Sequence, residues 1–106
     1  MLFLIMLCIE DIRACFVNEK MILTEHLLTR IRQRKIRLKD IKYALENGEI
    51  IEQYPTDFPF PSCLINGENI HVVCSIGNGY LYIITAYRPS AARWETDGKK
   101  RKGDKS

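Results

Sequence analysis

The chain has 106 residues, the length of one domain, and its 46% hydrophobic and 27% charged residues exclude a disordered protein. The net charge is only +3, but residues 20–43 carry eight basic and two acidic side chains, whereas residues 44–70 carry five acidic and no basic ones. This uneven distribution indicates a polyanionic partner on one side of the domain; a basic helical surface that serves only solubility is the alternative.

The apolar start of the chain and its cysteines argue against a membrane, secreted or metal-binding protein. The nine apolar residues of "MLFLIMLCI" are too few for a membrane span, which needs about 20, and they lack the flanks of a signal peptide. The four cysteines form no CxxC pair and have no histidine at zinc spacing. We therefore expect a cytoplasmic protein without a metal or other cofactor, with reduced cysteines in its core; a disulfide-bonded fold is the alternative.

Helical periodicity in the first half of the chain predicts three helices. The first ends near Asn18, the second begins at Thr24, a suitable N-cap, and the third ends at Asn47-Gly48. Their apolar stripes are Ile5, Cys8, Ile9, Ile12, Cys15 and Phe16 in the first, Leu27, Leu28 and Ile31 in the second, and Leu38, Ile41, Ala44 and Leu45 in the third.

After Gly48 the pattern changes to the alternation typical of β-strands. The predicted strands are "EIIEQY", "SCLI", "ENIHVVCS" and "YLYIITAY". Asn66-Gly67 predicts the first hairpin turn and residues 77–79 the second. A three-residue loop at the second turn would place His71 opposite Thr85, with Tyr87 on the same face of the sheet.

These elements predict an α+β fold in one domain at residues 1–96. We expect the N-terminal helices to pack on one face of a four-stranded antiparallel sheet, and a short C-terminal helix to carry Trp94. Residues 97–106 predict a basic, flexible tail.

Three basic residues on the second helix recur at intervals of four: His26, Arg30 and Arg34. At 100° per residue they lie about −100°, −60° and −20° from Leu27, at the border of the apolar stripe, whereas Arg32 at about 140° faces solvent. A border position lets an arginine bury its stem against the sheet and present its guanidinium at the sheet's rim.

The residue types fit RNA cleavage without a metal. Attack by the ribose 2′-hydroxyl on its own phosphate needs a proton acceptor, a proton donor and positive charge beside the phosphate. Histidines titrate near neutrality, and one arginine guanidinium can bind two phosphate oxygens at once. The candidates are therefore His26, His71, Arg30, Arg34 and Arg88; a purely packing or capping role for the histidines is the alternative.

Three long stretches of the chain match a known family in order and spacing. They are "IEDIRACFVNEKMILTEHLLTRIRQRKI", "LKDIKYALENGEIIEQYP" and "PSCLINGENIHVVCSIGNGYLYIITAYRPSAARWETDGKKRK". Together, over about residues 9–102, they resemble the family called Domain of Unknown Function 4258, which is similar to the RelE-like and barnase-like ribonuclease toxins.

The resemblance to ribonuclease toxins implies RNA as the substrate. It also implies a protein antitoxin as the partner, because members of the family are often encoded beside small antitoxins with a two-CxxC zinc finger. By motif position it assigns function to His26, Arg30, Arg34, His71, Thr85 and Tyr87. Two positions depart from the family's pattern: Lys35 and Arg37 stand where a glycine and a serine helix cap are usual.

The sequence thus predicts a metal-independent endoribonuclease toxin. His26 or His71 would act as base or acid, Arg30 and Arg34 would hold the phosphate, and substrate would contact Thr85, Tyr87 and Arg88. A non-catalytic module that binds nucleic acid or protein is the first alternative. The second is a scaffold in which the two helix arginines only pair with Glu46 or Glu49.

Overall fold

The computed structural model describes residues 6–90 and Lys99. In these residues the chain forms α1 (Ile9–Val17), β1 (Met21–Leu23), α2 (Glu25–Gln33), α3 (Leu38–Asn47), β2 (Glu49–Tyr54), β3 (Ser62–Gly67), β4 (Ile70–Gly77) and β5 (Tyr80–Tyr87). The α+β class is confirmed. The predicted helix around Trp94 and the predicted tail lie outside the described residues except for Lys99, whose Nζ lies 2.7 Å from Oε1 of Glu49.

The strands form one mixed sheet in the order β1-β5-β4-β3-β2. The last four strands in the chain form the predicted antiparallel meander, but the prediction of a purely antiparallel, four-stranded sheet is wrong. The short strand β1 adds to its edge and runs parallel to β5, with Met21 beside Leu81 and Leu23 beside Ile83. The backbone N–H of Leu81 donates to the carbonyl of Lys20 at 2.8 Å, at the start of this pairing.

The ends of α2 follow from local chemistry. The hydroxyl of Thr24 accepts the backbone N–H of Leu27 at 3.0 Å, as expected of an N-cap. At the other end Lys35 adopts φ +56°, and the N–H of Ile36 donates to the carbonyl of Ile31 at 2.9 Å. This is the Schellman motif, which favours glycine at the position that lysine occupies here.

Arg37 precedes α3 without a side-chain cap. Its backbone N–H instead donates to Oδ2 of Asp40 at 3.0 Å, which is one half of a capping box. This hydrogen bond holds the pKa of the Asp40 carboxyl below its ordinary value. At the far end, Gly48 caps the helix at the predicted position.

The first hairpin turns at Glu68 and Asn69, and the prediction of a turn at Asn66-Gly67 is wrong. Asn69 supplies the left-handed conformation with φ +55°, while Gly67 pairs with Ile70 inside the sheet. A Cβ on Gly67 would lie 2.6 Å from Cβ of Ala44, so this glycine permits close packing of α3 on the sheet. The turn lies two residues later than predicted, so each β3 residue pairs four residues further along β4, with Ile65 beside Val72 instead of Glu68. An even shift leaves each side chain on its predicted face.

The second hairpin turns at Asn78-Gly79, both with positive φ, and Gly77 belongs to β4. This two-residue turn corrects the predicted three-residue loop. A bulge then shifts the register between Val73 and Cys74, so Val73 pairs with Thr85 and His71 pairs with Tyr87. His71 is therefore not opposite Thr85, although alternation along the strands places both, with Tyr87, on one face.

The hydrophobic core lies between the helices and one face of the sheet. α2 packs on β5, α3 on β3 and β4, and α1 on α3 and β5. Leu27 and Ile31 of α2 are buried as predicted, but Leu28 is 37% exposed, so its assignment to the apolar stripe is wrong. Cys63 and Cys74 are buried opposite each other as free thiols, whereas Cys8 is exposed.

The face of the sheet opposite the helices carries His71, Val73 and Ser75 of β4 together with Tyr82, Thr85 and Tyr87 of β5. We call this the second face. The loop at residues 55–61 reaches it, because the ring of Phe60 stacks on Tyr82 with centroids 5.9 Å apart. Among the described residues, no helix is long and apolar enough to cross a membrane.

Candidate functional site

Arg34 ties the end of α2 to the outer edge of β5. Its Nη1 donates to Oγ1 of Thr85 at 3.1 Å and to the carbonyl oxygen of Ala86 at 2.9 Å. β1 pairs only with Leu81–Ile83, so these contacts lie just beyond the end of the parallel strand pair. The helical border position of Arg34 therefore brings its guanidinium to the rim of the sheet, as the helical angles predict.

The other two nitrogens of the Arg34 guanidinium make no hydrogen bond among the described residues. Within residues 6–90, neither Nε nor Nη2 has a hydrogen-bond partner, and no carboxylate lies within ion-pair distance of Arg30 or Arg34. Glu49, one of the two partners that a scaffold role would require, pairs with Lys99 instead. Two guanidinium groups thus remain available for an anion.

His26 is exposed at the other end of the same helical row. It lines a pocket of about 490 Å³ between α2, the 55–61 loop and the second face. The pocket also includes Asp57, Phe58, Phe60 and Tyr82. The Oγ of Ser62 donates a hydrogen bond to the Asp57 carboxylate, which fixes this side chain at the base of the loop.

His71 is fully buried, in contrast to His26. Its ring meets Tyr87 edge-on, with centroids 5.4 Å apart and planes at 67°. Ser75 of β4 lines the same pocket as His26. His71 lies four residues before Ser75 on β4, and four residues span about 13 Å along a strand. The structure therefore separates the two histidines rather than bringing them together around one phosphate.

Arg88 lies at the Arg34 end of the site. Its Nη1 and Nη2 donate to the carbonyls of Asn69 at 3.4 Å and Lys35 at 3.5 Å, and the side chain is exposed. Because these bonds are long and made to backbone carbonyls, they orient Arg88 without neutralising its charge. Arg34, Thr85, Tyr87 and Arg88 are thus grouped at one end of β5, with Arg30 one helical turn away on α2.

Sequence reasoning missed the pocket beside His26. The stretch "DFPFP" reads only as a stiff loop, yet it supplies Asp57, Phe58 and Phe60. Phenylalanines flanked by prolines in a loop were the available signal, since an apolar ring on a loop needs something to pack against. Among the described residues, no group of three or more His, Cys, Asp or Glu side chains is placed to hold a metal ion.

Comparison with known proteins gives one match. The model of a protein family described as Domain of unknown function (DUF4258) matches residues 23–88, which is more than half of the chain and includes His26, Arg30, Arg34, His71, Thr85, Tyr87 and Arg88. No curated protein and no solved structure matches the chain.

Proposed function

The chain belongs to the DUF4258 family, and we propose that it is a metal-independent endoribonuclease of the toxin type with a RelE-like domain. The observation that carries the proposal is the Arg34 guanidinium, which Thr85 and Ala86 hold at the sheet rim with two donor nitrogens left open. Arg30 extends the same positive edge without a carboxylate beside it among the described residues.

A phosphate of RNA would bind between Arg30 and Arg34. Nε and Nη2 of Arg34 form the planar pair that binds two phosphate oxygens, while Nη1 stays on Thr85 and Ala86. Since the protein already fixes this side chain, little conformational entropy is lost when the phosphate binds. Tyr87 and Arg88 would contact the neighbouring part of the strand.

His26 is the proposed proton acceptor, because it is exposed on the same row. It would take the proton of the ribose 2′-hydroxyl as the 2′-oxygen bonds to phosphorus. The bond from phosphorus to the 5′-oxygen then breaks, and that oxygen takes a proton from solvent water. The arginines compensate the phosphate's charge in the transition state, and the products are a 2′,3′-cyclic phosphate and a 5′-hydroxyl.

His71 is proposed as a positioning residue rather than a base or acid. It is buried, and its ring contacts Tyr87 edge-on. Through that contact His71 would fix the direction of the Tyr87 ring beside the substrate. We further propose, from the family resemblance, a cytoplasmic location and a cognate antitoxin that covers the arginine edge.

We expect the purified protein to cleave single-stranded RNA in the presence of EDTA, leaving 2′,3′-cyclic phosphate ends. His26→Ala is expected to lower the rate by about 100-fold, within the usual contribution of a general base. Gel analysis of labelled RNA and mass spectrometry of the ends measure both. Thr29→Ala, an exposed change on the same helix, is the control and should cleave normally. Intact RNA with the wild-type protein would rule out the nuclease.

The second candidate function is a nucleic-acid-binding module without catalysis. It is favoured by one observation: the burial of His71 and its distance along β4 from the His26 pocket leave His26 without a second histidine. Binding that weakens steeply with salt while the RNA stays intact would support this alternative.

A further inference from the structure

The pocket beside His26 has aromatic walls, and we call it the aromatic pocket. Phe60 stacks on Tyr82 at an interplanar angle of 23°, and both rings are partly exposed. A Cβ at Gly77 would lie 2.3 Å from the Phe60 ring, so the glycine allows this ring to sit directly on β4. Phe58, on the same loop, is 94% exposed.

Flat, exposed rings of this kind bind unpaired nucleobases by stacking, which requires no particular base sequence. The pocket also has a polar part. The carboxylate of Asp57, fixed by Ser62, can accept hydrogen bonds from base amino groups but would repel a phosphate. The chemistry of the pocket therefore suits a base and excludes the charged backbone.

The sugar-phosphate backbone of such a nucleic acid would lie directly beside the pocket. His26 belongs both to the pocket lining and to the row that continues through Arg30 to Arg34. Successive members of the row are about 6 Å apart along the helix axis, close to the separation of neighbouring phosphates in one RNA strand. A strand with one base in the pocket would place its following phosphates on the arginines.

We propose that the aromatic pocket binds an unpaired nucleobase of single-stranded RNA whose adjoining phosphates lie along His26, Arg30 and Arg34. This inference rests on the proposed function, because it adds a base site to the same RNA-binding edge. The alternation of an apolar, aromatic pocket with a positive row favours a nucleic acid over an apolar peptide, which would leave the arginines uncompensated.

The test compares a short labelled single-stranded RNA with an abasic strand of equal length, using fluorescence anisotropy. The wild-type protein is expected to bind RNA about tenfold more tightly than the abasic strand, the size of one stacked base. Phe58→Ala should remove most of this difference and leave binding of the abasic strand unchanged. Its ring is almost fully exposed, so the fold does not depend on it. Tyr43→Ala, an exposed aromatic on α3, is the control and should change neither affinity.

The outcomes separate the two proposals. Equal, salt-dependent binding of both strands would overturn the base site and leave the arginine edge intact. A base-dependent difference that persists both in Phe58→Ala and in Phe60→Ala would also overturn it, because the base would then stack outside the aromatic pocket. No binding of either strand would overturn the base site together with the proposed function.

Discussion

Arg34→Ala is expected to lower the rate of RNA cleavage by about 100-fold or more, the loss typical when one preorganised donor to a developing anion is removed. The guanidinium is held on Thr85 and Ala86 by one nitrogen and presents the other two, so the variant loses both the charge and its placement. Single-turnover cleavage of labelled RNA measures this effect apart from product release.

Two matched variants show whether placement or charge is responsible. Arg34→Lys keeps the charge but has a single nitrogen, so it cannot stay on Thr85 and Ala86 and also bind two phosphate oxygens as a planar pair, and we expect it to recover only a small part of the rate. Arg32→Ala removes an exposed charge from the same helix and should cleave nearly normally. If Arg32→Ala and Arg34→Ala are equally slow, the effect is one of general charge and the proposed phosphate site is wrong.

Gly67→Val is expected to lower the free energy of unfolding by about 3 kcal/mol, at the upper end of the usual cost of overpacking. A Cβ at this position would already lie 2.6 Å from Cβ and 2.9 Å from Cα of Ala44, so α3 must move away from the sheet. Urea denaturation followed by circular dichroism measures the loss.

Gly79→Ala is the control for this change. No atom lies within 4 Å of a Cβ at Gly79, but its φ of +81° disfavours any side chain, and we expect a loss of about 1 kcal/mol. Combining Gly67→Ala with Ala44→Gly should recover part of the loss caused by Gly67→Ala alone, because the two Cβ atoms no longer meet. A Gly67→Val variant as stable as Gly79→Ala would mean that Gly67 does not pack against α3.

The helices were predictable because their signals are local. Thr24 caps α2 through a hydrogen bond three residues along the chain, and α3 ends at Gly48, where the sequence predicts its end. The φ of Gly48 is −80°, which any residue can adopt, but a Cβ there would lie 2.5 Å from the carbonyl oxygen of Ala44. Leu28 was misassigned because periodicity gives the angle of a residue on the helix, whereas its exposure depends on how far the sheet extends beneath it.

The strand positions were predictable, but the register was not. Asn66-Gly67 is a strong turn signal in isolation, but Gly67 lies within β3, where the close approach of Ala44 from α3 leaves no room for a side chain. β1 has only three residues, and it pairs with β5, about 60 positions later in the chain. No local sequence pattern therefore indicates this strand. The bulge in β5, which leaves Ile84 without a partner between Ile83 and Thr85, likewise has no local signal in the sequence.

For the candidate site, helical geometry correctly predicted that Arg34 reaches the sheet rim. The burial of His71 could not be predicted, because the alternation of a strand gives the face of a residue and not what covers that face. The aromatic pocket was missed because it joins a loop, a helix start and two strands that are distant in the sequence.

The salt dependence of RNA binding by the wild-type protein and by Arg30→Ala tests most directly whether the α2 row of His26, Arg30 and Arg34 binds phosphates. The variant removes one exposed charge of the row that has no carboxylate beside it among the described residues. If the row binds phosphates, the logarithm of the association constant falls linearly with the logarithm of salt concentration, and Arg30→Ala reduces that slope by about 0.7, the value for one phosphate contact on a single strand. An unchanged slope would contradict the assignment of the α2 row as the RNA-binding site.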